Sequence, residues 1–305
     1  MKRIVILENN TAKHTVAEKY TAGEFPRRIE IELACTCNLN CTYCPRKHLQ
    51  KLRGFMELEL FKKVIDEIAP YPETILVLHR RGESLLHPEF IRICEYIKAK
   101  LKEVQIATNA TLLDEERSRA LIESVSFVSF SIDIPEVFNK TRIPARYAEV
   151  EANILRFLKL NNGQVRTQVS MVNTLDTPAE NIEIFKDIWK GKVDRVRIYE
   201  EHSRSGKFGS LARDRGKRMP CVMPFYEFLV FYDGKVGRCN HDWNGTALGN
   251  LNTTGIKEVW NSPLYATLRR QHKSLAIMDE VCKNCDSWYP DIGIQGTGEI
   301  VKDEE

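Results

Sequence analysis

The stretch RIEIELACTCNLNCTYC, residues 28–44, decides the fold. Its opening, RIEIELA (28–34), alternates Ile29, Ile31 and Leu33 with Glu30 and Glu32, the period-2 signature of a strand. Its end, CNLNCTYC (37–44), spaces Cys37, Cys41 and Cys44 as Cys-x3-Cys-x2-Cys. Three thiols this close can converge on one centre directly after the strand. A 4Fe–4S cluster normally takes four cysteines, so three leave one iron open to a small molecule. A zinc ion completed by a distant ligand would use the same three thiolates.

Outward from this stretch, short apolar runs alternate with amphipathic segments. Helical spacing over 55–69 precedes a strand at 73–79. A helix at 87–101 follows, with Pro88 in its first turn. Strands at 104–109, 125–133, 165–172 and 193–201 are separated by helices at 114–124, 146–160 and 179–190. Six β/α alternations in one direction predict a parallel sheet, wound or partly closed into a barrel. Such sheets place their active sites beyond the C-terminal strand ends, where the cysteine loop lies.

The alternation stops at SRSGKFGSLARDRGKRMP (203–220), a basic segment without apolar period, read as a linker or surface loop. YEFLVFYDGKVGRCN (226–240) then predicts a hairpin about Asp233-Gly234. IKEVWNSPLYATLRRQHK (256–273) reads as helix interrupted near Pro263, and the tail from about 292 as frayed. The expected organisation is an N-terminal extension (1–27), a barrel (28–202), a linker (203–220), a second unit (221–290) and a tail (291–305).

Composition excludes several classes. With 305 residues, 45 Lys plus Arg against 42 Asp plus Glu, and a net charge of +3, the chain carries no polyanion-binding excess, so no nucleic-acid partner is expected. No run reaches the ~18 apolar residues of a membrane-spanning helix. The start, MKRIVILENNTAKH, lacks a signal peptide's apolar core. Nine cysteines, an odd count, argue for metal or redox chemistry in a reducing compartment, the cytoplasm, rather than for disulfides.

Cys221, Cys239, Cys282 and Cys285 form a second set, with 17, 42 and 2 residues between them. Four thiolates ending in Cys-x2-Cys suit a tetrahedral zinc or an iron–sulfur cluster. Cys35 reads as a small core residue or, alternatively, a hydrogen-atom donor. Cys94 reads as packing. Glu30 and Glu32 either line a cavity as proton acceptors or pair with arginines. Arg195, Arg197, Tyr199 and Glu201 alternate on the sixth strand, where an inward arginine would orient a substrate oxygen or act as base. His79, His87, His202 and His241 read as hydrogen-bonded or exposed rather than catalytic.

The three-cysteine spacing with Tyr43 before the last cysteine resembles the radical S-adenosylmethionine (radical SAM) superfamily. Its other markers follow in order: RRGES (80–84) resembles the GGE motif, TNATLL (108–113) a common TNGTLL element, and SFSID (129–133) the fourth-strand segment that contacts ribose or carboxylate. The chain departs from the pattern at Arg81, in place of the first Gly, and at Ser84, in place of a Pro. Arg80 and Arg81 read either as a lining for an anionic substrate or as ion-pair arginines.

The resemblance implies an α/β fold, a partial (β/α)6 barrel. It implies a 4Fe–4S cluster on Cys37, Cys41 and Cys44, and SAM held by Tyr43, Gly82, Glu83, Asn109, Ser131 and Asp133. One electron would cleave SAM to a 5′-deoxyadenosyl radical that abstracts hydrogen.

Over 221–285, Cys221, YDGKVGRC, ALGNL (247–251), IKEVW (256–260) and CKNC (282–285) resemble the SPASM/twitch extension, a small α+β unit. Cysteine count implies one fully ligated auxiliary 4Fe–4S cluster, the twitch arrangement seen in aminocyclitol dehydrogenases. That points to oxidation of a small hydroxylated, sugar-like substrate, with Arg197, Glu32 and Tyr199 as candidate catalytic residues and a flavodoxin or ferredoxin as electron donor. The segment of about 27 residues before the barrel is too short for a leader-peptide-binding domain, which favours a small molecule over the other substrate class, a ribosomal peptide modified by epimerisation or crosslinking.

Overall fold

A computed structural model describes residues 20–48, 53–174, 177–201, 217–243, 245–285, 288 and 300–301. The expected six strands form: β1 (Arg28–Ile31), β2 (Ile75–Val77), β3 (Val104–Thr108), β4 (Phe127–Ser131), β5 (Arg166–Asn173) and β6 (Arg195–Glu200). All pair in parallel, in chain order from β1 to β6. Helices α1 (Leu58–Ile68), α2 (Phe90–Lys98), α3 (Glu115–Ser124), α4 (Pro135–Thr141), α5 (Tyr147–Asn161) and α6 (Ala179–Trp189) connect them. The fold is the mixed α/β partial barrel expected.

Period-2 geometry explains how each strand serves two environments. Ile29, Ile31, Val128, Phe130, Val169, Met171, Val196 and Ile198 join the helix-side core with Phe61, Phe157, Phe185 and Trp189. Their neighbours Arg28, Glu30, Ser129, Gln168, Arg195 and Arg197 face the other way, where polar contacts cross between strands. Arg28 Nε donates to Glu227 Oε2 at 3.1 Å, and Gln168 Nε2 to Ser129 Oγ at 2.7 Å. Arg195 Nε donates to Gln168 Oε1. The concave side of the sheet is therefore polar and cross-bonded, while the convex side is a dry core.

Local signals set the boundaries. Asp114 caps α3 by accepting the Arg117 N–H at 2.8 Å. Pro88 lies in the turn before α2 rather than in its first turn. Helix α4 has no long apolar period in the sequence and is fixed instead by Phe138 in the core.

The hairpin of β7 (Glu227–Val230) and β8 (Lys235–Gly237), preceded by the short α7 (Met223–Tyr226), forms about Asp233-Gly234 as expected. β7 also pairs in parallel with β1, Arg28 opposite Glu227 and Ile31 opposite Val230. The sheet thus runs without a break from the barrel into the C-terminal region, which adds β9 (Gly249–Asn250), α8 (Ile256–Trp260), α9 (Pro263–Ser274) and α10 (Glu280–Lys283). β10 (Ile300–Val301), in the segment read as frayed, pairs antiparallel with β6. Of the segment read as a linker, 203–216 lies outside the described residues, as do 1–19 of the extension and His202.

Candidate functional site

The loop carrying Cys37, Cys41 and Cys44 leaves β1 and is pinned by backbone bonds to distant segments. Asn40 N–H donates to Ile143 O at 2.7 Å and Thr42 N–H to Thr141 O at 2.9 Å. All three cysteines are partly exposed. Burial still pushes the Cys41 thiol up to about 11, opposed by the Arg142 guanidinium, and raises Cys37 as well. Iron binding here must displace protons, which couples cluster assembly to pH.

The residues expected around SAM gather at this loop. Gly82 has backbone on two sides: a Cβ there would fall 2.2 Å from Ala34 O and 2.4 Å from Thr36 O. Only glycine lets the 80–84 turn approach the loop this closely. Glu83 is buried and raised by burial. Its carboxylate accepts from Thr108 Oγ1 at 2.8 Å, Asn109 N–H at 2.8 Å and Leu85 N–H at 3.1 Å. Asn109 Nδ2 donates to Asn38 Oδ1 at 2.9 Å and lies 4.0 Å from Cys37 Sγ. Glu83 thus acts as the tie between the second and third strand ends, and Asn109 carries that tie to the cluster loop.

On the other flank, Tyr43 Oη donates to Asp133 Oδ2 at 3.3 Å. Asp133, 2% exposed, is held chiefly by Arg142, whose Nε lies 2.8 Å from Oδ2. The Arg142 guanidinium also stands 5.5 Å from the Tyr43 ring centroid. Asp133 is thereby engaged by arginine, a partner that the sequence did not suggest because Arg142 lies in an aperiodic turn. Ser131 is partly exposed two residues earlier on β4.

The arginines of RRGES have structural partners. Arg81 forms a two-pronged pair with Glu32, both bonds 2.7 Å, and its Nη1 donates to Trp243 O at 2.8 Å. Glu32 is wholly buried and also accepts the Tyr232 N–H at 3.3 Å. This withdraws Glu32 from the proton-acceptor role and gives it the other one foreseen, pairing an arginine. Arg80 donates to Asn240 O and Asp242 O and stands 3.6 Å from Glu30. Both arginines therefore clamp the barrel rim to the 240–243 segment that follows the hairpin.

Arg197 and Tyr199 lie on β6, at the far end of the six-strand run from the cysteine loop. Arg197 is 4% exposed, with its guanidinium 5.0 Å from the ring of the half-exposed Tyr199. His79 lies on the concave side at the end of β2. Burial, with Arg28 and Arg80 nearby, lowers its pKa to about 3, and its Nδ1 has no partner among the described residues. Cys35 and Cys94 are buried, as their packing readings require. His87 is held by Met56 O at 2.8 Å.

Cys221, Cys239, Cys282 and Cys285 line a single pocket with Arg218, His241 and His272. Arg238 assembles it: its guanidinium contacts Asp242 at 3.1 Å and Asp279 at 2.8 Å. Asp279 in turn caps α10, accepting the Val281 and Cys282 N–H groups at 3.0 and 3.1 Å. One buried arginine thus brings together the segments bearing Cys239 and Cys282. Arg238 and Asp242 had no sequence signal.

Burial, reinforced by Glu227, pushes Cys239 well up; burial with Asp279 does the same to Cys282. Four thiols around one pocket are the ligand number that a tetrahedral zinc or an iron–sulfur cluster takes.

The radical SAM superfamily model matches residues 31–188, and an iron–sulfur cluster-binding SPASM domain model matches 221–286. The chain is 33% identical to the tungsten-containing aldehyde ferredoxin oxidoreductase cofactor-modifying protein of Pyrococcus furiosus, over 78% of this chain and 82% of the relative. It is 22% identical to the S-adenosyl-L-methionine-dependent 2-deoxy-scyllo-inosamine dehydrogenase of Niallia circulans, over 85% and 92%. Among solved structures, BtrN in complex with AdoMet and 2-DOIA superposes with TM-score 0.57 at 18% identity, covering 87% of this chain and 97% of that one. Streptococcus suis SuiB bound to precursor peptide SuiA gives 0.68 at 14%, covering 91% and 77%.

Proposed function

The chain belongs to the radical SAM superfamily and carries a SPASM domain, so its cofactors are S-adenosylmethionine and 4Fe–4S clusters; from that premise we propose that it oxidises a carbinol carbon of a small hydroxylated molecule. The observation that carries the reading is the C-terminal pocket with four cysteines, which supplies every ligand an auxiliary cluster needs. A centre with no open iron serves electron transfer better than substrate ligation. When bound, the first cluster and SAM supply the 5′-deoxyadenosyl radical.

The chain's residues supply the rest. Cys37, Cys41 and Cys44 hold the first cluster. Gly82 seats the 80–84 turn against the cluster loop, beside which the methionine end of SAM would lie, with Glu83 and Asn109 bracing that edge. Tyr43, Ser131 and Asp133 border the nucleoside side, with Arg142 steadying Asp133. Arg197 orients a substrate oxygen from β6, with Tyr199 at its side. The polar concave face, with Gln168, Ser129 and Arg195, suits a hydroxyl-rich molecule. A flavodoxin or ferredoxin fits as electron donor, and nine cysteines outside any disulfide suit the reducing cytoplasm. Among the described residues no helix is long and apolar enough to cross a membrane.

A small substrate accords with the relative named for modifying a cofactor. The second reading, peptide modification, accords with the likeness to peptide-bound SuiB, which extends to fold alone. Anaerobic turnover with SAM and reductant separates them. Polyols and aminocyclitols deuterated at the carbinol carbon should pass deuterium into 5′-deoxyadenosine. Transfer only from peptide Cα or side-chain positions would overturn the small-molecule reading.

A further inference from the structure

The C-terminal pocket contains a hydrogen-bond donor without an acceptor among the described residues. His272, on α9, is 1% exposed and lines the pocket beside Cys221, Cys239, Cys282 and Cys285. Its Nδ1 accepts the backbone N–H of Cys221 at 3.4 Å. A backbone amide can only donate, so Nδ1 carries no proton, and the neutral ring holds its proton on Nε2. This contact fixes the tautomer. Nε2–H has no acceptor among the described residues. Buried donors without acceptors are costly and rare in folded proteins.

Arg218 repeats the pattern. Its Nη1 donates to Cys285 O at 3.0 Å, while its Nε and Nη2 are buried without acceptors among the described residues. Two donor-bearing side chains are thus tied to the backbone of ligand cysteines and left with spare N–H groups at one pocket. What these groups lack is an acceptor that four thiols and an iron–sulfur core would bring, namely thiolate or sulfide sulfur.

We propose that His272 Nε2–H donates to a sulfur of the auxiliary cluster and raises that cluster's reduction potential, with Arg218 as a second donor. The inference rests on the auxiliary-cluster reading of this pocket. A donor on sulfur favours the more negative, reduced state, and hydrogen bonding to sulfur is one of the levers that sets cluster potentials. His272 is a positioning residue in this scheme: it makes the cluster a readier electron acceptor while ligating nothing.

The test uses full-length chain with Cys37, Cys41 and Cys44 all changed to Ala, reconstituted anaerobically so that only the auxiliary site contributes. Iron and sulfide are counted first. Zinc uptake, or no iron, would defeat the cluster reading and this inference with it, before any spectrum is taken.

With iron present, the chain labelled with 15N-histidine should show a nitrogen coupling to the reduced cluster by pulsed EPR. His272→Phe should abolish that coupling at unchanged iron content. It should also lower the reduced-to-oxidised ratio at fixed poise about tenfold, a shift of about 59 mV for one electron. His272→Gln, which keeps a donor, should recover part of that shift. A coupling and potential unchanged in His272→Phe would overturn the proposal. Should the Phe variant lose its cluster, absence of any histidine coupling from the unmutated pocket would overturn it equally, and its presence together with partial retention in the Gln variant would support it.

Discussion

The two cysteine sets of this chain are built in opposite ways. Cys37, Cys41 and Cys44 sit within one loop, partly exposed at the mouth of the barrel, and their supports come from the segments after β2, β3 and β4. Cys221, Cys239 and Cys282 are buried, drawn from segments far apart in sequence, and locked by Arg238 between Asp242 and Asp279. On the proposed reading, the first set is short of one protein ligand and open, and the second is complete and closed. An open centre can take a small molecule onto its metal, whereas a closed one can exchange only electrons. The contrast explains how one chain uses the same element for two purposes.

The largest effect that tests this contrast comes from changing Cys37, Cys41 and Cys44 together to Ala. Iron should fall from about eight to about four per chain, with sulfide in step, as expected for two four-iron clusters. All 5′-deoxyadenosine formation should stop, while the fold, judged by circular dichroism, persists. If iron fell to zero, the two sites would not be independent and the contrast would break.

Next in size is Arg238→Met. It leaves the buried Asp242 and the half-buried Asp279 without their cation, a class of change that costs up to about 3–5 kcal/mol. Denaturant unfolding should show that loss, and the auxiliary iron should go while the loop cluster still binds. Retention of eight irons at normal stability would mean that the closed pocket does not depend on its clamp.

Smallest is Gly82→Ala, which perturbs the open set alone. Its Cβ would meet Ala34 O at 2.2 Å, and the forced shift should cost about 1–3 kcal/mol. SAM affinity, measured by calorimetry on the reconstituted chain, should weaken with the auxiliary iron untouched. Equal damage at both sites would show that the 80–84 turn serves the whole rim, through Arg80 and Arg81, more than it serves SAM.

Much of the barrel was legible because its signals are local. Alternating apolar residues along each strand and helical spacing between them encode which face is dry. Asp233-Gly234 announces its turn, and Asp114 its helix start. Helix α4 was missed because a short helix held by one buried phenylalanine has too little periodicity to read. Glu32 illustrates the limit for the site. Its inward orientation followed from strand alternation, but its commitment to Arg81, 49 positions away, did not. The same holds for Asp133 with Arg142, and for Arg80 and Arg81 as clamps on the 240–243 segment.

The amino-acid sequence by itself determined the close grouping of Cys37, Cys41 and Cys44 and the parallel α/β order, and its motifs' resemblance to known families pointed to the iron–sulfur and SAM cofactors. Spacing within a few residues bounds how far apart side chains can be, so such groups survive any folding of the rest. Tertiary structure alone decided that β7 would extend the barrel sheet along β1, that Arg238 would join the segments bearing Cys239 and Cys282, and that His272 would line the pocket they share. These are contacts between residues tens to hundreds of positions apart. Burial and hydrogen-bond satisfaction over the whole molecule select them, and no local pattern records that selection.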